Sequence, residues 1–129
     1  MNVKNCLFLI LLSLSLLMTG CGFFASGPGQ TVENFYRSVE EGNLDDATAL
    51  LSSRLVSTIG ASKIKQGLAQ QTQTIKDKGG IESISVDSEE VTGEIAQVTT
   101  TITYGNGETG TETVNLMKED GSWKLDPQK

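Results

Sequence analysis

From residue 31 onward the apolar positions follow a helical period and then switch to a period of two. Val32, Phe35, Tyr36 and Val39 fall at i, i+3, i+4 and i+7. That spacing predicts one helix with a single apolar stripe, opened by Thr31 and closed by Gly42 as a left-handed cap. Leu44, Ala47, Leu50 and Leu51 predict a second, short helix, with Asp45 and Asp46 in the first turn, where the helix dipole favours acids. Ser62 to Lys78 reads as a third helix with Ile64, Leu68 and Ile75 on one side. Its middle is rich in Gln and Thr, Gly67 weakens it, and Gly79-Gly80 stops it.

Beyond Ile81 alternate residues are apolar: Ile84 and Val86, then Ala96, Val98, Thr100, Ile102 and Tyr104, then Val114 and Leu116, then Trp123 and Leu125. Turn signals at Thr92-Gly93, Gly105-Asn106-Gly107 and Asp120-Gly121 separate four strands. These connections are too short for crossovers, so the sheet is an antiparallel meander. Its register also follows from the pattern. A two-residue turn at Asp120-Gly121 puts Lys118 opposite Trp123 and Leu116 opposite Leu125. A two-residue turn at Asn106-Gly107 would send the apolar sets of two neighbouring strands to opposite faces. The loop should therefore be Gly105-Asn106-Gly107, with Gly107 left-handed, Tyr104 facing Glu108 and Val98 facing Val114.

The start of the chain follows neither period. Lys4 is the only charged side chain before residue 21, and Leu7 to Leu17 form an apolar run with leucine on every face. The run is too short to span a bilayer and has the length of a signal-peptide core. Leu17-Met18-Thr19-Gly20-Cys21-Gly22 follows. This segment resembles the lipobox of bacterial lipoproteins, with Met18 where Leu is commoner. The resemblance implies cleavage between Gly20 and Cys21, diacylglycerol in thioether linkage on Cys21, and often acylation of the new amine. Two or three acyl chains, at ~0.8 kcal/mol per buried methylene, anchor firmly where one does so only marginally. Gly22 in place of Asp favours the outer membrane where a cell has one. Residues 1–20 are thus expected to be a lipoprotein signal peptide and 21–30 a lipidated cysteine with a flexible tether. The tether, Gly22 to Gln30, is rich in Gly, Ser and Pro and reaches roughly 15–18 Å. Phe23 and Phe24 either dip into the membrane interface or pack on the domain.

Three helices and then a four-stranded meander with one apolar face resemble the nuclear transport factor 2-like α+β cone. Thr31-Val32-Glu33-Asn34-Phe35-Tyr36, Glu41 to Ala47, Gly93 to Val98, and above all Lys118-Glu119-Asp120-Gly121-Ser122-Trp123-Lys124-Leu125 resemble the bacterial domain of unknown function 4878. The expected fold class is therefore α+β, three N-terminal helices packed on a curved four-stranded antiparallel meander, over residues 31–126. The family implies an extracytoplasmic lipoprotein domain without an established activity.

Charge and cysteine content narrow the function. The 129-residue chain has a net charge of -6, which becomes -7 once a leader carrying the single +1 of Lys4 is removed. Phosphate would repel such a chain, so nucleic acid is not an expected partner. Cys6 lies in the leader, leaving Cys21 as the only cysteine of the processed chain, and there is no histidine. No disulfide and no cofactor are expected.

Candidate chemistry is sparse. Gly105 to Gly110 matches G-x-G-x-x-G, but a dinucleotide fingerprint needs a helix after it, and strands flank this one. Asp87, Glu89 and Glu90 lack a calcium-loop pattern and read as a solvated turn, so no metal site is expected. Tyr36, Thr100, Tyr104 and Trp123 are candidates to line a pocket in the cone, with no carboxylate on the inner face between the tyrosines. Trp123 also reads as a core anchor with Lys118 across from it. The expected role is a non-enzymatic lipoprotein on the extracytoplasmic face of the cell membrane or outer membrane. Its domain would bind an envelope protein or a small apolar ligand. The alternatives are an isomerase- or dehydratase-type enzyme in the cone pocket and a purely structural envelope component.

Overall fold

Proline sets the first helix. In a computed structural model that describes residues 26–127, α1 spans Pro28–Glu41 with Gly27 as its N-cap. A proline in the first turn lacks an N–H that would have no helical partner there anyway. The helix therefore starts three residues before Thr31, and Pro28 to Gln30 are helix instead of tether. Pro28 and Gly29 are buried. The end is as expected. Gly42 is left-handed (φ 76°), its N–H bonds to the Val39 carbonyl, and the Asn43 N–H bonds back to Ser38. The leader, Cys21, Phe23 and Phe24 lie outside the described residues.

Helices α2 (Leu44–Ala49) and α4 (Ala61–Asp77) correspond to the other two expected helices. Between them lies a short one that the pattern did not indicate, α3 (Ser53–Ile59), none of whose residues is fully buried. It exists because Ser52 caps it, accepting the Leu55 N–H at 3.1 Å.

The sheet is a meander in the order β1-β2-β3-β4, with β1 at Ile81–Thr92, β2 at Ile95–Tyr104, β3 at Thr109–Glu119 and β4 at Ser122–Leu125. The register is the expected one. Val98 pairs with Val114, Lys118 with Trp123, and Leu116 with Leu125. The Tyr104 N–H bonds to the Glu108 carbonyl at 2.9 Å, and Gly107 has φ 88°. Strand β1 departs from expectation. Asp87, Glu89 and Glu90 belong to the strand and not to a turn. A register shift between Val86 and Ser88 switches the inward face from even to odd positions, so that Val86 pairs with Thr100 but Glu89 with Val98. Val86, beside the shift, is 39% exposed.

One core lies between sheet and helices. Val32, Tyr36 and Val39 of α1 and Leu68 and Ile75 of α4 meet Val98, Ile102 and Leu116 of the sheet. The short β4 is secured by the chain ahead of α3. The Leu125 N–H bonds to the Leu50 carbonyl and the Ser52 N–H to the Leu125 carbonyl, at 2.8 and 2.9 Å. Ser52 is fully buried and donates its hydroxyl to Asp126 at 2.7 Å, and Arg54 pairs with the other carboxylate oxygen of Asp126.

Ser52 both caps α3 and holds Asp126, so Ser52→Ala should cost about 1–3 kcal/mol. Chemical denaturation reads this as a lower midpoint at unchanged slope, and an unchanged midpoint would show that the two bonds carry nothing.

Candidate functional site

The inward positions of β2 and β3 build the concave face. Thr100 is opposite Glu112 and Ile102 opposite Gly110. The Tyr104–Glu108 pair continues the same face at the hairpin end. Tyr36 comes down from α1, 4% exposed, and donates its hydroxyl to a Glu112 carboxylate oxygen. Phe35 meets the Tyr36 ring edge to face, with centroids 5.6 Å apart. Thr100 and Tyr104 thus share one face, as the alternation along β2 implied, and Tyr36 meets that face from α1.

Glu112 is the residue that sequence reasoning missed. A carboxylate does stand on the inner face between the two tyrosines. The signal was present, because pairing Val98 with Val114 necessarily sets Glu112 against Thr100. Burial raises the Tyr36 phenol well above its ordinary range, and the hydrogen bond and negative charge of Glu112 push it further the same way.

The space beneath the sheet is filled at this point. Thr100 is 0% exposed and Ile102 2%. The Thr100 hydroxyl is a buried side-chain oxygen with no hydrogen-bond partner. At the hairpin end the Lys78 ammonium sits 4.6 Å from the Tyr104 ring centroid and pairs with Glu108 at 2.8 Å. That bond holds the lysine pKa up and the Glu108 pKa down.

Trp123 lies elsewhere. It pairs with Lys118, whose ammonium is 5.2 Å from its ring centroid. At ~3.3 Å per residue this position is roughly 30 Å along β3 from Glu108 and Tyr104. Trp123 lines a small cavity of about 180 Å³ with Thr31, Asn34 and Leu50. Two larger clefts are also shallow. One, about 500 Å³, runs between α2, α4 and the β3–β4 turn, past Asp45, Lys65, Glu119 and Lys124. The other, about 580 Å³, lies over Ile95, Met117, Asn115 and Arg54 and is mainly apolar.

Gly105 to Gly110 is the β2–β3 hairpin, with strand on both sides. Among the described residues no three potential metal ligands stand together, and no helix is long and apolar enough to cross a membrane.

The profile of a protein family described as Domain of unknown function (DUF4878) matches residues 19–126. No curated protein matches the chain. Among solved structures the fold resembles a protein from Campylobacter jejuni named as an NTF2-like transpeptidase. The two are 21% identical, with a TM-score of 0.68 over 78% of this chain and 97% of that one. It also resembles a SEC-C motif containing protein from Rhodopseudomonas palustris, at 11% identity and a TM-score of 0.58, over 80% of this chain and 77% of that one. At these identities the likeness is one of fold, an α+β sheet-and-helix cone of the nuclear transport factor 2 type.

Two outcomes follow from the concave face. Tyr36 has a raised folded-state pKa, so its contribution is complete below the ordinary phenol value near 10 and is lost as pH climbs above it. In an alkaline titration followed by tyrosinate absorbance, Tyr36 should resist ionisation until the domain unfolds. Ionisation of both tyrosines near pH 10 with the fold intact would refute this. Thr100→Val removes an unpartnered buried hydroxyl at equal shape, so thermal unfolding should show stability unchanged or raised by up to about 1 kcal/mol. A clear loss would mean that the hydroxyl has a partner.

Proposed function

The chain belongs to the family described as Domain of unknown function (DUF4878), and from that premise we propose that it is a lipid-anchored, extracytoplasmic lipoprotein whose domain binds a partner protein through its surface. The observation that carries the binding part is the filled cone. Thr100 has no exposed surface, and Tyr36 closes over the concave face with its hydroxyl engaged by Glu112. A domain whose inner face is packed has its outer surfaces and strand edges left for recognition. An isomerase- or dehydratase-type enzyme would need an open cavity at these residues. The shallow apolar cleft over Ile95 and Met117 leaves room for a small apolar ligand only at the surface.

The anchoring part rests on Leu17 to Gly22, where small residues at 19 and 20 precede the only cysteine of the processed chain. The family match begins at Thr19, so it takes in Gly20 and Cys21 together with the folded domain. With α1 starting at Pro28, only residues 22–27 separate the lipid from the first helix. At ~5–6 Å per square root of residue number, a flexible tether of that length would have a typical reach of roughly 12–15 Å.

Metabolic labelling with a fatty-acid analogue tests the anchor. The wild-type chain should take up label and migrate as the processed form, whereas Cys21→Ser should remain unlabelled and unprocessed. Labelled, processed Cys21→Ser protein would contradict the proposal.

A further inference from the structure

Strand β3 runs from Thr109 to Glu119, yet β4 pairs only with its last part, Leu116 to Glu119. The direction of each backbone group along β3 follows from the ladder. Even-numbered positions bond toward β2, as the bonds from Tyr104 to Glu108 and from Lys118 to Glu94 demonstrate. Odd-numbered positions point the other way. The Asn115 carbonyl receives the Asp126 N–H at 2.8 Å, and there the β4 side of the ladder ends. Thr109, Thr111 and Thr113 direct their N–H and C=O groups outward with no strand beside them among the described residues, and all three residues are exposed. Such a row is a template for an added strand.

The opposite edge of the sheet is guarded. Strand β1 contains two register shifts and carries Glu82, Asp87, Glu89 and Glu90. Shifts and charges of this kind block edge pairing. The open part of β3 has neither a shift nor a proline, and it stays in unbroken register with β2 from Thr109 to Met117.

Charge selects the occupant. Glu112 sits between Thr111 and Thr113 in the open row. It accepts the Tyr36 hydroxyl and belongs to none of the ion pairs among the described residues. Two copies of this edge, paired antiparallel about Thr111 and Thr113, would set Glu112 against its own copy. Like charges directly opposite destabilise a pair, and the chain as a whole is acidic. A basic side chain in that place would be attracted instead. We propose that the β3 edge from Thr109 to Thr113 takes an extended segment of a partner protein as an additional strand, with a Lys or Arg of that segment facing Glu112. The apolar cleft over Ile95 and Met117, where Ile95 is 64% exposed, adjoins the end of the row and has room for an apolar side chain of the same segment. The inference rests on the partner-binding reading above and gives it a surface.

The probe is a blocked heptapeptide of alternating threonine and valine with lysine at its centre, and its counterpart with glutamate there. Each is titrated into the isotope-labelled full chain in nonionic detergent, and amide hydrogen exchange is followed by NMR. At saturation the lysine peptide should slow exchange at Thr111 and Thr113 by about tenfold or more, and the glutamate peptide should not. Glu112→Lys should reverse that preference. Thr113→Pro removes an outward N–H without touching the bonds to β2, and should abolish protection while the β2 amides stay protected. No protection at millimolar lysine peptide, equal protection by both peptides, or protection that grows with protein concentration alone would overturn the proposal. The Cys21→Ser labelling result is independent of each of these outcomes, so failure here and failure of the anchor are distinguishable.

Discussion

The pairing of Val98 with Val114 is the constraint on which the rest of the sheet depends. A three-residue loop with Gly107 left-handed fixes it, because only an odd loop brings the apolar positions of β2 and β3 to one face. Everything polar on that face is then placed without further choice. Glu112 must lie against Thr100, within reach of a tyrosine from α1. Gly110 must lie against Ile102, and Glu108 against Tyr104. The same register sends Thr99, Thr101 and their partners Thr113 and Thr111 to the convex face. There their hydroxyls bond across the strands at 2.9 and 3.0 Å. A slip by one residue would bury threonines and expose valines.

The second constraint is the shortness of β4. A strand of four residues makes few ladder bonds of its own. They stay because the segment between α2 and α3 pairs with Leu125 and because Ser52 and Arg54 hold Asp126. A β4 that stops at Leu125 leaves half of β3 without a pairing strand among the described residues, next to the concave-face carboxylate that Tyr36 grips. Packing inside the cone and availability at its rim are therefore two results of the same strand lengths.

Much of this was legible in the residues themselves. The helical stripe from Val32 to Val39, the alternation of β2 and β3 and the two hairpin registers follow from period and turn chemistry alone, and the structure has all of them. The differences have local physical causes. Between Gly27 and Gly29, Pro28 has the sequence signature of a linker, although proline is equally at home in the first turn of a helix. Helix α3 buries no residue fully, so it leaves no periodic trace, and its only signal was Ser52 as a cap. In β1 the shift after Val86 changes the period's phase, so Glu89 and Glu90 looked like a turn when read with one continuous alternation. Glu112 was hidden for a different reason. A carboxylate at an inward position looks polar and therefore outward, and only the cross-strand partner reveals its face.

The register can be measured directly. Positions 99 and 113, and 101 and 111, are non-hydrogen-bonded pairs, in which α-carbons approach to about 4.5 Å. In the folded chain, nuclear Overhauser spectroscopy should give strong Hα–Hα contacts between Thr99 and Thr113 and between Thr101 and Thr111. Strong contacts from Thr100 to Thr113 or from Thr101 to Glu112 in their place would mean a one-residue slip. That slip would remove Glu112 from Tyr36 and Thr100, and with it the account of both the concave face and the open edge.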